Sequence, residues 1–71
     1  MPVYWISIAG RIREYRKTHR LSQSEFGELV GVSPQAVNKW EHGLCCPDIL
    51  LLPLLAKVLG CRVDDFFEKR K

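Results

Sequence analysis

The sequence lacks the length that large enzyme folds need. It has 71 residues, which allow one domain, whereas a (β/α)₈ barrel needs roughly 250 residues. A dinucleotide-binding fold of two half-units does not fit either. The sequence also lacks a Gly-rich phosphate loop, an HExxH run and a Ser-His-Asp set that helices could bring together. We therefore expect a protein that is not an enzyme and that needs no cofactor.

Cysteine is scarce and poorly spaced for disulfides or zinc. There are three cysteines, and Cys45 is adjacent to Cys46. Small secreted domains usually pair an even number at wider spacings, so we expect reduced thiols and a cytoplasmic location. Zinc bound by His42 and the cysteines is disfavoured, because adjacent cysteines rarely chelate one ion; no metal is expected. The sequence leaves open whether Cys45 and Cys46 have a redox or metal role.

Long apolar runs are also missing. The run at residues 49–56 spans eight residues, far fewer than the about 20 of a membrane helix. The start of the chain is apolar but has no basic segment before it, so it is a poor signal peptide. We expect no membrane partner, and we interpret residues 1–7 as an N-terminal arm.

The period-two alternation of half-buried strands is absent, which favours an all-α fold. Ser22 and Glu25 form a capping box at a helix start, and Ser33 with Pro34 favours another start. Gly31, Gly43 and Gly60 are placed to end helices. Five helices are predicted, over about Ile8–His19, Ser22–Val30, Ser33–His42, Leu50–Leu59 and Val63–Glu68.

Positive charge is concentrated near the N-terminus. Up to Arg20 there are five basic residues and one acid, Glu14, a net charge of +4 in a chain whose total is +3. This region is either a solvated helix face or an electrostatic footprint for a polyanion.

The two helices that meet across Gly31-Val32-Ser33 have helix-turn-helix spacing. The surrounding residues resemble the Cro/C1-type (XRE) helix-turn-helix family of phage repressors and bacterial regulators. The resemblance covers about residues 8–67. It rests on Gly10-Arg11-Ile12-Arg13, Arg16, Leu21-Ser22-Gln23, Glu25, Gly31-Val32-Ser33, Val37, Trp40-Glu41, Gly43, Pro47, Leu55-Ala56, Leu59-Gly60, Val63-Asp64 and Phe66-Phe67.

The resemblance implies a lambda-repressor-like, compact five-helix bundle over residues 8–68, with a basic tail at 69–71. It also implies a sequence-specific regulator, a repressor, that reads a double-stranded DNA operator with the helix at about 33–42. The expected working unit is a homodimer, and no small-molecule effector is evident.

The resemblance also implies roles for individual residues. Those expected to contact DNA bases are Pro34, Gln35, Asn38 and Lys39. Those expected to contact phosphates are Gln23, Ser24, Ser33 and His42. Arg16 and Glu41 are expected to form a structural ion pair. The spacing of Trp40 from Val37 favours core packing over base stacking.

Three departures from the family pattern stand out. Leu44, Cys45 and Cys46 occupy positions where many relatives carry polar or basic residues, so a cationic contact is missing there. Gly27 stands where Ala is usual, which costs up to about 1 kcal/mol of helix propensity but permits close helix approach. Arg62 replaces a common Ser or Thr cap.

An alternative is an antitoxin-like or regulatory protein-interaction module whose main partner is another protein. The leucines at 50–52 exceed what one helix face can bury, and surplus apolar surface often marks an interface. The same surface suits a homodimer. The candidate dimer contacts are Leu50, Leu51, Phe66 and Phe67.

Overall fold

The computed structural model describes the backbone of residues 3–6 and 8–70 and the side chains of residues 8–67. Between Ile8 and Phe66 the regular elements are all helical. The four α-helices are α1 (Ala9–His19), α2 (Gln23–Val30), α3 (Pro34–Glu41) and α4 (Leu52–Leu59), with 3₁₀ turns at Ile49–Leu51 and Val63–Phe66. None of the helices described is long and apolar enough to cross a membrane.

The start and end of α2 follow the signals in the sequence. The Ser22 hydroxyl accepts a hydrogen bond from the Glu25 N–H at 3.0 Å, and the Glu25 carboxylate accepts one from the Ser22 N–H at 2.8 Å. This reciprocal pair is the predicted capping box. Helix α2 ends at Gly31, whose φ of 75° lies in the left-handed region that favours glycine.

The turn between α2 and α3 lies very close to α2. A Cβ atom added to Gly27 would lie 2.5 Å from the carbonyl oxygen of Val32, so glycine permits the close approach expected at this position. The Val32 N–H donates to the Gly27 carbonyl oxygen at 2.9 Å, and the Ser33 hydroxyl accepts from the Ala36 N–H at 3.2 Å. Together these contacts fix where α3 begins relative to α2.

The core draws apolar side chains from every helix. Val37 and Trp40 lie on the inner face of α3, as their spacing predicts. Leu29 lies between the buried Phe26 and Val30 on α2, but 49% of its surface is exposed. The buried apolar residues are Ile8, Ile12, Phe26, Val30, Val37, Trp40, Leu52, Leu55, Ala56 and Phe66.

The predicted count of five helices is not confirmed. The fourth α-helix begins at Leu52 rather than Leu50, with Pro53 in its first turn, where its missing N–H is tolerated. The predicted fifth helix is only the 3₁₀ turn Val63–Phe66, whose Asp65 carboxylate accepts from the Arg62 N–H at 2.9 Å.

From Phe67 the chain forms a β-strand, which differs from the predicted all-α fold. Strand β2 (Phe67–Arg70) pairs antiparallel with β1 (Val3–Ile6), and Ile6 lies opposite Phe67. Four-residue strands are too short to show clear alternation, and their partners are far apart in sequence, so local patterns did not indicate them. Part of the predicted arm and tail is therefore paired, whereas residues 1, 2, 7 and 71 lie outside the described residues.

Candidate nucleic-acid interface

A shallow groove lies where α2 and α3 meet. Pro34, Gln35 and Lys39 are exposed in it, and Gln23 and Asn38 are half-buried. The structure thus brings all four predicted base-contacting residues together with Gln23. The residues lining the groove are Gln23, Pro34, Gln35, Asn38, Lys39 and Leu44.

The outward face of α3 follows from its buried face. Val37 is 0% exposed and Trp40 is 5% exposed, which anchors α3 against the core. Since residues three and four apart share a helix face, burial of these two leaves Gln35 and Lys39 pointing to solvent. Free amide and ammonium groups are therefore presented on a rigid element.

The other predicted phosphate-contacting residues lie outside the groove lining. Ser24, Ser33 and His42 are all exposed. Ser33 directly precedes the groove residue Pro34 and caps α3. His42 follows the last residue of α3, and its Nδ1 lies 2.8 Å from the Asn38 carbonyl oxygen.

The predicted ion pair joins α1 to the end of α3. Arg16 Nε lies 2.6 Å from Glu41 Oε2, and Arg16 Nη2 donates to Glu41 Oε1 at 2.9 Å. The Glu41 side chain is 3% exposed and that of Arg16 is 23% exposed. A third bond runs from Arg16 Nη1 to the Leu21 carbonyl oxygen at 3.0 Å, so one guanidinium fixes α1, the following loop and α3.

A chain of hydrogen bonds connects this ion pair to the groove. Gln23 Nε2 donates to Glu41 Oε1 at 3.3 Å, and Asn38 Nδ2 donates to Gln23 Oε1 at 3.5 Å. Both ends of the Gln23 amide are thus engaged, which fixes its orientation. Nothing in the sequence indicated this link or the bond from Arg13 Nη1 to the Glu41 carbonyl oxygen. Both bonds end on Glu41, the buried last residue of α3.

The environment keeps Glu41 ionised. Burial raises the pKa of this carboxyl, but the hydrogen bonds from Arg16 and Gln23 together with the positive charges of Arg16 and Arg13 outweigh burial, so the pKa is below the ordinary value. The hydrogen bond to Glu41 raises the pKa of Arg16 above its ordinary value, against a smaller opposing effect of burial. The pair therefore stays charged at neutral pH.

Leu44 gives one end of the groove an apolar wall. It is 72% exposed, and its N–H donates to the Lys39 carbonyl oxygen at 2.9 Å. Gly43, with φ of 69°, lets the chain turn back toward α3 at this point. From the sequence, Leu44 indicated only that a polar or basic side chain is absent at this position. In the structure Leu44 is part of the groove lining.

The cysteines are free thiols in two different environments. Cys45 and Cys46 are exposed, and Cys61 is half-buried against the core. Within the described residues, no three His, Cys, Asp or Glu side chains come together as a metal site would require.

The helix-turn-helix family model matches residues 12–66. The chain belongs to the Cro/C1-type helix-turn-helix family of transcriptional regulators. The family's motif corresponds to α2 and α3, the two helices that carry the groove.

Relatives of this helix-turn-helix protein include regulators and a repressor. An uncharacterized HTH-type transcriptional regulator of Methanothermobacter thermautotrophicus is 39% identical over 57 residues, which cover 79% of this chain and 83% of that protein. Repressor protein C2 of Salmonella phage P22 is 39% identical over 54 residues, 76% of this chain but 25% of the repressor. Antitoxin PezA of Streptococcus pneumoniae is 28% identical over 64 residues, 90% of this chain and 40% of PezA.

The same fold is seen in a repressor bound to DNA. The crystal structure of the P22 c2 repressor in complex with synthetic operator 9T superposes with a TM-score of 0.74 at 36% identity. The match covers 83% of this chain and 89% of that one.

Proposed function

We propose that this protein is a sequence-specific repressor that binds duplex DNA and reads the major groove with α3. The observation that carries the proposal is the groove in which Gln35 and Lys39 stand free beside Gln23 and Asn38. A helix of this kind fits the major groove, which is about 12 Å wide. The similarity to a repressor solved with its operator supports the same conclusion.

The exposed groups on α3 match the chemistry of base edges. The Gln35 amide can donate and accept at once, as adenine N7 and N6 require. The Lys39 ammonium suits the O6 and N7 acceptors of guanine, although without the planar fork of arginine. Pro34 has no donor and offers apolar contact to a thymine methyl group. Asn38 is held by Gln23 and so is placed to reach a base or a phosphate.

The remaining polar residues are proposed to position the domain on the DNA backbone. Gln23 and Ser24 lie in the first turn of α2, where free N–H groups and the helix dipole favour a phosphate. Ser33 and His42 mark the two ends of α3. Contacts of this kind fix register but carry no base identity. A DNA partner implies a cytoplasmic location in a cell without a nucleus.

A second candidate is a module whose main partner is another protein. The likeness to antitoxin PezA and the exposure of Ile49 at 75% and Leu50 at 87% favour it. The two functions are separated by one measurement, because phosphate contacts make DNA binding fall steeply with salt. A chain that binds no duplex at low salt but captures a protein partner would support this second candidate.

Gln35→Ala is expected to weaken binding to the preferred DNA site by about 1–3 kcal/mol. The reason is loss of a two-point contact to one base, so discrimination at that base pair should relax as well. The preferred site is first obtained by selection from random duplexes. Binding of the variant to that site and to each single-base change is then measured by fluorescence anisotropy.

Gln23→Ala provides the matched comparison, since both glutamines line the groove but only Gln35 is free of side-chain partners there. Its binding is expected to weaken by a similar factor on every sequence. If Gln35→Ala also weakened random and preferred DNA equally, the base-reading role of Gln35 would be wrong.

We infer that the working unit is a homodimer. One such domain covers only a short half-site, and affinity increases when two domains bind half-sites about 34 Å apart. Leu50 and Phe67 are exposed and Leu51 is half-buried, so these are the proposed contacts. Phe66 is removed from that set, since its side chain is 0% exposed. Leu50→Asp should lower self-association, as measured by sedimentation velocity with and without DNA. The free energy of unfolding should stay within about 0.5 kcal/mol of wild type. A wild-type chain that stays monomeric on an asymmetric site contradicts the dimer.

A further inference from the structure

The loop that follows α3 is held at both ends and exposed in its middle. At one end Leu44 lines the groove and its N–H is bonded to the Lys39 carbonyl oxygen at 2.9 Å. At the other end Pro47 is buried. Cys45 and Cys46 lie between these anchors, and both are exposed. Two exposed thiols therefore directly follow the groove residue Leu44 in the chain.

The third cysteine differs from this pair. Cys61 follows Gly60, which ends α4, and its side chain packs against the core. Its N–H donates to the Ala56 carbonyl oxygen at 3.0 Å. Cys45 and Cys46, which directly follow the groove residue Leu44 in the chain, are thus exposed to solvent, whereas Cys61 is remote in sequence and partly covered.

We propose that Cys45 and Cys46 form a site of reversible S-thiolation by small-molecule disulfides, and that modification there prevents DNA from entering the groove. This inference rests on the DNA-binding function proposed above. The cysteine pair belongs to the departure from the family pattern at residues 44–46.

The reaction is a thiol–disulfide exchange. The thiolate of Cys45 or Cys46 attacks one sulfur of the small disulfide, and a new S–S bond forms as the old one breaks. The proton released by the cysteine is taken up by the departing thiolate. The cysteine is oxidised, one half of the disulfide is reduced, and excess small thiol reverses the step.

The added group opposes DNA binding through charge and bulk. A glutathionyl group carries two carboxylates and one ammonium at neutral pH, so the loop gains a net charge of −1. Residues 44–46 contain no cation to offset it. The new charge lies close in sequence to Leu44, which lines the groove with Lys39, and it repels the phosphates that the groove must approach.

The full chain is treated with oxidised glutathione, the modified cysteines are mapped by mass spectrometry, and binding to the selected duplex is titrated by anisotropy. We expect modification at 45 or 46 and affinity at least about tenfold weaker, since repulsion replaces a phosphate approach. Dithiothreitol should restore binding. Cys61→Ser should respond as wild type does, and the double variant Cys45→Ser/Cys46→Ser should bind DNA but ignore the reagent.

Two results would overturn the proposal. One is wild-type protein mapped as modified at 45 or 46 whose affinity stays within twofold of the untreated value. The other is equal loss of affinity in the folded double variant. If circular dichroism shows that the double variant does not fold, the deciding measurement is the DNA affinity of the modified wild-type protein after dithiothreitol. Affinity that does not recover on reduction contradicts the proposal. Failure of the untreated chain to bind any duplex contradicts the proposed function instead, and it is seen before reagent is added.

Discussion

Arg16→Met is expected to destabilise the domain by about 3–5 kcal/mol, because it leaves a buried carboxylate without its counter-charge. The Glu41 side chain is 3% exposed, and after the substitution only Gln23 still donates a side-chain hydrogen bond to it. A chain of this size has about 5 kcal/mol of stability in total. Much of the variant should therefore be unfolded at neutral pH, as measured by urea denaturation followed by circular dichroism.

The companion variant Glu41→Gln should be less harmful. It leaves the Arg16 guanidinium uncompensated, but that side chain is 23% exposed and can turn toward water. The expected loss is about 1–3 kcal/mol, the range for an unsatisfied polar contact. Replacing both residues by Met and Leu should be milder than Arg16→Met, since no charge is stranded.

The pH dependence gives the sign of the effect. In the wild type the pKa of Glu41 is lowered on folding. The contribution of its carboxylate to the free energy of unfolding is therefore fully present above the unfolded pKa of about 4.3, and it is lost as pH falls through the folded pKa. In Arg16→Met, we expect burial, the largest single influence on this carboxyl, to outweigh the remaining Gln23 hydrogen bond and Arg13 charge and to raise its pKa instead. The deficit of the variant should therefore shrink as pH falls toward about 4.5.

Small, additive losses from the two single variants would contradict this account. They would indicate a solvated surface pair worth about 0–1 kcal/mol. A stability loss of Arg16→Met that grows as pH falls would also contradict it, because it would show that the uncompensated charge is not the Glu41 carboxylate.

Short-range signals in the sequence were sufficient for the central part of the fold. The capping box at Ser22, the cap at Ser33 and the left-handed Gly31 each act within four residues, so they can be read without knowing the fold. They set α2, α3 and the turn between them. The buried pair Val37 and Trp40 then determines which face of α3 is exposed, and hence that Gln35 and Lys39 are free.

Features that depend on distant partners could not be predicted in this way. The pairing of β1 with β2 joins residues at opposite ends of the chain. The bond between Gln23 and Glu41 depends on how α2 and α3 cross, and the sequence suggested only the Arg16 contact. Surface exposure of Leu29 likewise follows from helix packing rather than from helix periodicity. Local patterns specify elements, whereas the fold decides which groups meet.

Phe66→Ala is expected to cost about 3–5 kcal/mol of stability, as for other fully buried aromatic side chains. Phe66 is 0% exposed and belongs to the core that α1 to α4 enclose, whereas the adjacent Phe67 is 38% exposed at the start of β2. The sequence suggested a dimer contact for both. The two side chains have different surroundings, since Phe66 is buried in the core and Phe67 is partly exposed. Only Phe67 is therefore available to contact a second copy of the chain.

Phe67→Ala is the matched control, with an expected loss below about 1 kcal/mol because its side chain is already partly in water. Urea denaturation at two protein concentrations separates the roles. The deficit of Phe66→Ala should not depend on concentration, since a core cavity acts within one chain. Any deficit of Phe67→Ala should grow with concentration if Phe67 contacts a second copy. Equal, concentration-dependent losses in both variants would return Phe66 to the dimer surface and contradict its place in the core.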